Sequence, residues 1–320
     1  MALSNDDVLA NVFAFVGSGH YYFVANINTE FRDAYKHYLR TTIPSTSRSL
    51  FFTTGESITE SEARAQRVLN EWTTTTSIDD RNRPHPHYFT AVIGSAARRG
   101  NLPVIKGILH PDRRETFERL QWNHQNAQNT IYKIAARQGY LNVLQYAMAW
   151  GSGNRVKHGA LICHAAAGGG QLHTMQWARK NGCRWSALTC SLAAKHGHLH
   201  ILQWARENGC PWDARTCWCA AEHGYLHILQ WARENGCPWD ARTCALAAEH
   251  GHLDILQWAR AHGCPWGSCT CMQAAAGGHL HILQWALAQG CPWNPTLCLD
   301  DAAYYGNWDV VQWIEENSIQ

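Results

Sequence analysis

Charge, long apolar runs and a secretion signal are all scarce or missing in this sequence. Lys and Arg number 27 against 25 Asp and Glu, a formal net charge of +2, so no basic nucleic-acid-binding surface is expected. No apolar run approaches the ~20 residues that cross a bilayer, and residues 1–7 lack the basic and apolar parts of a signal peptide. We therefore expect an intracellular, cytoplasmic protein without a membrane or nucleic-acid partner.

Motifs of catalysis and of metal binding are missing as well. The sequence contains no Gly-Lys-Ser/Thr phosphate loop and no Gly-x-Ser-x-Gly nucleophile elbow. It has no Cys-x-x-Cys pair, the spacing with which many zinc sites begin. We expect no enzyme activity, no cofactor and no metal-binding residues.

What the sequence does contain is a 27-residue unit that is repeated through its second half. The glycine before each Leu-rich segment recurs at intervals of 27 residues, with a last interval of 28: Gly170, Gly197, Gly224, Gly251, Gly278 and Gly306. Less regular copies begin near Gly100 and Gly139, which makes about eight repeats. A fixed period of this length indicates a stack of similar units.

Each copy has the pattern of two short helices. Asp213 stands where an N-cap is expected, before a predicted helix over 214–223 with small apolar residues on one face. A second predicted helix covers 226–235, and Cys-Pro-Trp closes the unit as a tight loop. Three histidines precede the turn glycine, where they are expected to cap the first helix: His196, His223 and His250.

Tryptophan and cysteine, 16 and 13 in number, mark the repeats. Two registers of tryptophan are predicted to form ladders of core side chains. They are Trp177, Trp204, Trp231, Trp258, Trp285 and Trp313, and then Trp185, Trp212, Trp239, Trp266 and Trp293. Equivalent cysteines of stacked repeats would lie roughly 10 Å apart, beyond the ~7 Å Cα separation that a disulfide bridges, so reduced thiols are expected.

The repeat resembles the ankyrin family in residues 220–229 and 235–240, which read Ala-Ala-Glu-His-Gly-Tyr-Leu-His-Ile-Leu and Asn-Gly-Cys-Pro-Trp-Asp. The resemblance covers roughly residues 88–320, but the period is 27 and not about 33, because the stretch that forms the family's β-hairpin finger is missing. It implies an all-α, ankyrin-like helix-turn-helix solenoid lacking β-hairpin fingers, preceded by a small helical N-terminal segment. Such short Trp- and Cys-rich repeats are similar to those of large DNA viruses, algae and protists, and a viral source would imply the host cytoplasm.

The opening segment is similar to an F-box, the motif that docks substrate receptors on the Skp-type adaptor of cullin ubiquitin ligases. The resemblance assigns adaptor binding to apolar residues at helical spacing: Leu3, Val8, Leu9, Val12, Phe13 and Phe15. A helical cap that shields the open end of the stack has the same pattern. The predicted regions are an F-box-like or capping segment over 1–43, a helix and linker over 44–87, irregular ankyrin-like repeats over 88–159 and regular ones over 160–320.

One stripe of the first helices varies between repeats, although packing would impose the same residue on each copy. In the ankyrin family this face lines the concave groove that holds a partner, and the resemblance implies these partner-binding residues: Leu188, Ser191, Lys195, Arg215, Trp218, Glu222, Arg242, Glu249, Cys269 and Met272. Our hypothesis is that Trp218 anchors a protein partner, as aromatic residues often do at hot spots. The alternative is that Trp218 fills the gap beside Ser191 and Ala245.

Together these patterns favour a non-catalytic interaction scaffold that binds a partner protein on its concave face. If the opening segment is an F-box, the scaffold is a substrate receptor of a ubiquitin ligase. A purely structural repeat module without a ligase link is the alternative. A metal- or thiol-responsive array is a third interpretation, and it rests on the cysteine count alone.

Overall fold

The computed structural model describes residues 93–109 except 95, residues 124–150 and residues 155–317. Within these ranges the chain forms fifteen helices of seven residues or more and no strand, so the predicted all-α helical-repeat solenoid is confirmed. None of these described helices has the length and apolar character that crossing a bilayer requires. The residues of the F-box-like pattern lie outside the described ranges: Leu3, Val8, Leu9, Val12, Phe13 and Phe15.

The chain divides into two compact units, with the boundary between residues 154 and 155. Three helices are described in the first unit: α1 (Leu102–Ile108), α2 (His124–Gln138) and α3 (Leu141–Trp150). The Tyr132 hydroxyl and the Gln128 amide of α2 donate to the Ala147 carbonyl oxygen of α3, at 3.1 and 3.3 Å. Tyr140 packs on the turn at Gly100, where an added Cβ would lie 2.8 Å from the tyrosine ring. The hydrogen bonds thus hold the two helices of one irregular copy together, and Tyr140 joins that copy to the turn of the preceding one.

The described part of the second unit consists of six helix pairs, each with a first and a second helix. The first helices are α4 (Arg155–Gly168), α6 (Ala187–Lys195), α8 (Ala214–Glu222), α10 (Ala241–Glu249), α12 (Ser268–Ala276) and α14 (Pro295–Tyr305). The second helices are α5 (Leu172–Lys180), α7 (Leu199–Glu207), α9 (Leu226–Glu234), α11 (Leu253–Ala261), α13 (Leu280–Ala288) and α15 (Trp308–Asn317). The two helices predicted over 214–223 and 226–235 each end one residue earlier than expected.

Short polar side chains start several first helices, as the sequence predicts. Asp213 and Asp240 each accept a hydrogen bond from the backbone N–H two residues further on, at 3.0 and 2.9 Å. Asn294 accepts from the backbone N–H of Leu297 at 3.2 Å. Gly267 occupies the same position before α12 and has no side chain with which to cap it.

Histidines end two of the first helices, which confirms their predicted role. Nδ1 of His223 lies 3.2 Å from the Cys219 carbonyl oxygen, and Nδ1 of His250 lies 3.2 Å from the Leu246 carbonyl oxygen. The backbone N–H of the same histidine also donates to that oxygen, at 3.3 Å for His223 and 3.2 Å for His250, so ring and backbone close the helix end together. These imidazoles are therefore helix caps.

Small residues on the first helices hold the stack together. Successive first helices pack directly on one another, from α4 through α6, α8, α10 and α12 to α14. In α8 the facing residues Cys217, Ala220 and Ala221 have no exposed surface, and Ile228 and Leu229 of α9 are equally buried. Each buried Ile or Leu contributes about 1.5–3 kcal/mol, and small facing side chains let the helices approach closely enough to exclude water.

The tryptophan registers form regular rows, but their place in the molecule differs from the prediction. Four of the five loop tryptophans meet, edge to face, the second-helix tryptophan of the same 27-residue copy, as in the contacts of Trp212 with Trp231 and of Trp239 with Trp258, both with ring centroids 5.9 Å apart. The fifth pair, Trp293 and Trp313, is tilted by 49°. All of these rings are half-buried, and the fully buried core consists of Ala, Cys, Ile and Leu. The rows therefore lie on the flank of the stack, because an indole is too large for the closely packed face between first helices.

An arginine covers four of the five loop tryptophans of the regular repeats, namely Trp185, Trp212, Trp239 and Trp266. The guanidinium carbon of Arg206 lies 4.1 Å from the Trp212 ring centroid, and that of Arg233 lies 4.1 Å from the Trp239 centroid. The Arg206 guanidinium also donates to the Cys210 carbonyl oxygen of the same loop. A cation–π contact of this kind contributes about 0.5–2 kcal/mol and fixes the loop that joins two pairs.

Among the described glycines, the closest approach to the backbone of another repeat occurs at Gly277, which follows α12. A Cβ at this position would lie 2.2 Å from the Glu249 carbonyl oxygen of the preceding repeat, although the backbone at Gly277 has an ordinary φ of −77°. Backbone atoms of a packed helix end cannot move aside as a flexible side chain can. Glycine is thus required here by the neighbouring repeat and not by the turn itself.

We expect Gly277→Ala to lower the free energy of unfolding by about 1–3 kcal/mol, because the added methyl group separates two repeats. The matched control is Gly267→Ala, where a Cβ meets no atom within 4 Å and φ is −165°. The control should cost less, about 0.5–1 kcal/mol, because Gly267 is the N-cap of α12 and alanine caps a helix less well than glycine. Urea unfolding of both variants measures the difference, and equal losses would show that the repeats do not touch at Glu249.

Candidate functional site

The varying stripe of the first helices forms a surface of mixed exposure. Leu188 is 42 % exposed, and Arg215, Arg242 and Cys269 are exposed as well. The half-buried members of the stripe are Lys195, Trp218, Glu222, Glu249 and Met272. Nine of the ten predicted partner-binding residues thus reach the surface of the second unit.

Ser191 is the exception, and the structure corrects its predicted role. The residue is 2 % exposed, and its hydroxyl donates to the carbonyl oxygens of Leu188 and Ala187, at 3.2 and 3.4 Å. A serine inside a helix satisfies its hydroxyl in this way when no water reaches it. Ser191 is therefore a packing residue that no partner can contact.

Trp218 is held in one orientation by the following repeat. Its indole Nε1–H donates to Asp240 Oδ1 at 2.8 Å, and the Arg242 guanidinium carbon lies 4.7 Å from its ring centroid. The same carboxylate caps α10, so one aspartate links the Trp218 ring to the start of the next helix. The ring is half-buried, and its remaining surface is therefore presented without freedom to rotate away.

The link between Trp218 and Asp240 is a feature that the sequence reasoning missed. Asp240 is the counterpart of Asp213 one repeat later, for which only an N-cap role is predicted, and Trp218 and Asp240 are 22 positions apart. The signal that could reveal the bond is the combination of a tryptophan outside the two rows with an aspartate at the start of the next first helix. The contact then follows from placing successive first helices side by side.

Four pairs of cysteines each join a first helix to the loop that follows its second helix. Cys217 of α8 hydrogen-bonds to Cys237 of the following loop, and the Cys237 thiol lies 3.4 Å from the Asp213 carbonyl oxygen. The hydrogen bond to Cys237, followed by burial, raises the pKa of Cys217 far above its usual value. The equivalent pairs are Cys190 with Cys210, Cys244 with Cys264, and Cys271 with Cys291.

These thiols are free in the structure, and eleven of the thirteen are buried. Burial raises the pKa of Cys163 to about 12. Among the described residues, no three or more His, Cys, Asp or Glu side chains are grouped so as to hold a metal ion. Because the sulfurs come in buried pairs and not in sets of three or four, the arrangement serves the packing of the loop against the first helix.

A groove lies between the second helices α7 and α9. Its cavity has a volume of about 360 Å³ and is lined by Gln203, Arg206 and Glu207 on one side and by Trp231 and Asn235 on the other. The cavity forms because the glutamine, arginine and glutamate of one helix face the tryptophan of the next.

No known protein family matches the sequence, and no curated protein matches it. Two solved structures align with 98 % of the chain at a TM-score of 0.30. One is the pentatricopeptide repeat protein PPR10 in complex with an 18-nucleotide psaJ RNA element, at 13 % identity, and the other is a triple cysteine-to-serine variant in complex with the same element, at 12 % identity. The chain spans about half the length of these proteins, since 53 % of each is covered.

These structures correct one expectation from the sequence. The small net charge led us to expect no nucleic-acid partner, whereas the repeat proteins that align with this chain are complexes with RNA. The expectation was wrong because the net charge of a whole chain does not describe its local surfaces. Proteins bind single-stranded nucleic acid through base stacking on aromatic rings as well as through cations. Aromatic rings are uncharged, so the net charge does not report on stacking.

We expect one thiol to react rapidly with Ellman's reagent in the native protein. Cys269 is exposed and should react first, while burial raises the pKa of half-buried Cys219 to about 11 and keeps it mostly in the unreactive thiol form at neutral pH. The reactivity of Cys219 should increase as the pH rises toward 11, because the thiolate fraction grows. The eleven buried thiols should react only after unfolding.

The control is Cys269→Ser, which should remove the rapid phase and leave the reaction of the other thiols unchanged. Rapid reaction of four or more thiols in the folded protein would show that the paired cysteines are accessible, and would favour the thiol-responsive interpretation.

Proposed function

We propose that the protein is a non-catalytic scaffold that binds a partner protein on the first-helix face of its solenoid, with Trp218 as the anchor. The observation that supports this proposal is the fixed, half-exposed indole of Trp218 beside the Arg242 guanidinium. Tryptophan and arginine are the residue types that contribute most at protein interfaces. A ring already fixed before binding loses little conformational entropy when a partner covers it.

Variation along the stripe supports the same proposal. The position of Trp218 is occupied by Ser191, Ala245 and Met272 in neighbouring repeats, while the buried alanines and cysteines of the first helices hardly change. Ser191 and Ala245 are buried at this position, whereas Trp218 keeps exposed surface, so the tryptophan adds a contact surface that these two copies lack. The stripe carries both lysine or arginine and glutamate, which suits a partner of mixed charge.

We further propose that the repeats are of the short ankyrin type and that the opening segment acts as an F-box. The paired alanines, the glycine turn and the second glycine twelve residues later support the first proposal, and the apolar spacing from Leu3 to Phe15 supports the second. Together they make the protein a cytoplasmic substrate receptor that brings the bound partner to a ubiquitin ligase.

The partner is first identified by capturing it from a cell extract with the wild-type protein. We then expect Trp218→Ala to raise the dissociation constant for that partner by about thirtyfold, which corresponds to a hot-spot residue worth ~2 kcal/mol. Isothermal calorimetry with that partner gives the dissociation constants. Arg215→Ala at the same face keeps the Trp218–Asp240 bond and should weaken binding less. An unchanged dissociation constant for Trp218→Ala, together with a lower Tm, would show that the ring only packs between repeats.

The ligase link has a separate test. We expect Leu9→Asp to abolish capture of a Skp-type adaptor, since a carboxylate cannot be buried in an apolar interface without a partner charge. Binding of the partner protein and the Tm of the solenoid should stay the same. If the wild-type chain captures no adaptor, or if Leu9→Asp captures it equally well, the opening segment is not an F-box.

A further inference from the structure

Two neighbouring grooves between second helices differ at one lining position. The first groove, between α7 and α9, is the cavity lined by Gln203, Arg206, Glu207, Trp231 and Asn235. The equivalent positions between α9 and α11 are Gln230, Arg233, Glu234, Trp258 and His262. We name them the Asn235 groove and the His262 groove after the residue that distinguishes them.

In the His262 groove an aromatic ring already lies on the tryptophan. The imidazole of His262 stacks on Trp258 with ring centroids 4.2 Å apart and an angle of 25° between the planes. Its Nδ1 is 2.8 Å from the Trp258 carbonyl oxygen, so the ring caps the helix and covers the indole at once. This face of the tryptophan is therefore shaped and placed to accept a planar ring.

In the Asn235 groove the end of the second helix is capped in the same way, but the capping residue has no aromatic ring to stack on the tryptophan. The Asn235 amide Nδ2 donates to the Trp231 carbonyl oxygen at 2.8 Å, which is the bond that His262 makes one repeat later. The contact of Trp231 with another aromatic ring is an edge contact with Trp212 on the loop side. The cavity of about 360 Å³ lies at this tryptophan, since both Trp231 and Asn235 belong to its lining.

The geometry points to a binding site for a purine or pyrimidine base in the Asn235 groove, stacked on Trp231. A base is planar, as His262 is, and it carries donors and acceptors around its edge. The Gln203 and Asn235 amides and the Glu207 carboxylate line the groove and offer both kinds of partner. The volume lies at the lower end of the range for small-ligand sites, which fits one stacked ring system.

The charges of the groove favour a base over a phosphate. The only cation of the lining is Arg206, whose guanidinium already covers Trp212 and donates to the Cys210 carbonyl oxygen. The Glu207 carboxylate on the same wall would repel a phosphate. A plain hydrocarbon ring is disfavoured as well, because it would leave the amide and carboxylate groups of the lining without hydrogen bonds.

This site lies on the second helices and does not depend on the stripe around Trp218. It is tested by adding adenosine, guanosine, cytidine or uridine to the full-length protein labelled with ¹⁵N at tryptophan. We expect a saturable shift of the Trp231 indole N–H signal, assigned with Trp231→Phe, at roughly millimolar nucleoside. Nucleosides lack phosphate, so a response reports on the base.

Two matched variants exchange the residues that distinguish the grooves. Asn235→His should place an imidazole on Trp231, as His262 does on Trp258, and weaken nucleoside binding about tenfold or more, the effect of one lost base stack. His262→Asn should open the second groove and add a saturable shift of Trp258. Both residues occur naturally at this helix end, so both variants should unfold at the urea concentration of the wild type.

Three results would overturn the proposal. The first is no saturable Trp231 shift with any nucleoside. The second is equal binding by the wild type and Asn235→His, which would place the nucleoside elsewhere. The third is a preference for N-acetyl-tyrosine amide or for inorganic phosphate over all four nucleosides, which would identify a peptide side-chain pocket or an anion site.

Discussion

Contact between successive helix pairs is the constraint on which the rest of the structure depends. Most helices of the second unit have nine residues, a length at which an isolated helix is marginal in water. Each pair is completed by its neighbours through buried alanines and cysteines on the first helices, and four of the connecting loops carry a tryptophan that an arginine covers. The close approach at Gly277 shows how little space separates two repeats.

This dependence divides the residues of a repeat into those that hold the stack and those that are free to differ. The Cys-Pro-Trp loop, the capping aspartate and the paired alanines recur because every copy meets the same neighbour. On the first helices the stripe around Trp218 changes from copy to copy while the buried face does not. On the second helices the lining of two grooves is the same except for Asn235 and His262, and that single difference decides whether a tryptophan is covered.

Much of the fold could be predicted from the sequence because its determinants are local. The period, the cap at Asp213 and the glycine turns place both helices of a copy to within one residue. The half-buried position of the tryptophan rows could not be predicted, since spacing shows that a ring recurs and not how much of it a neighbour covers. The bonds of Trp218 with Asp240 and of Cys217 with Cys237 join residues about twenty positions apart and follow only from the packing of whole helices.

The most direct measurement is the stability of the chain after one more repeat is added. Inserting a second copy of residues 210–236 directly after residue 236 introduces a unit that cannot fold alone but that gains contacts with both neighbours. If stacking stabilises the fold, the urea midpoint of the second unit rises above that of the original chain. An unchanged or lower midpoint, with the inserted copy folded, would contradict the account, because the copy would then contribute no stabilising contact.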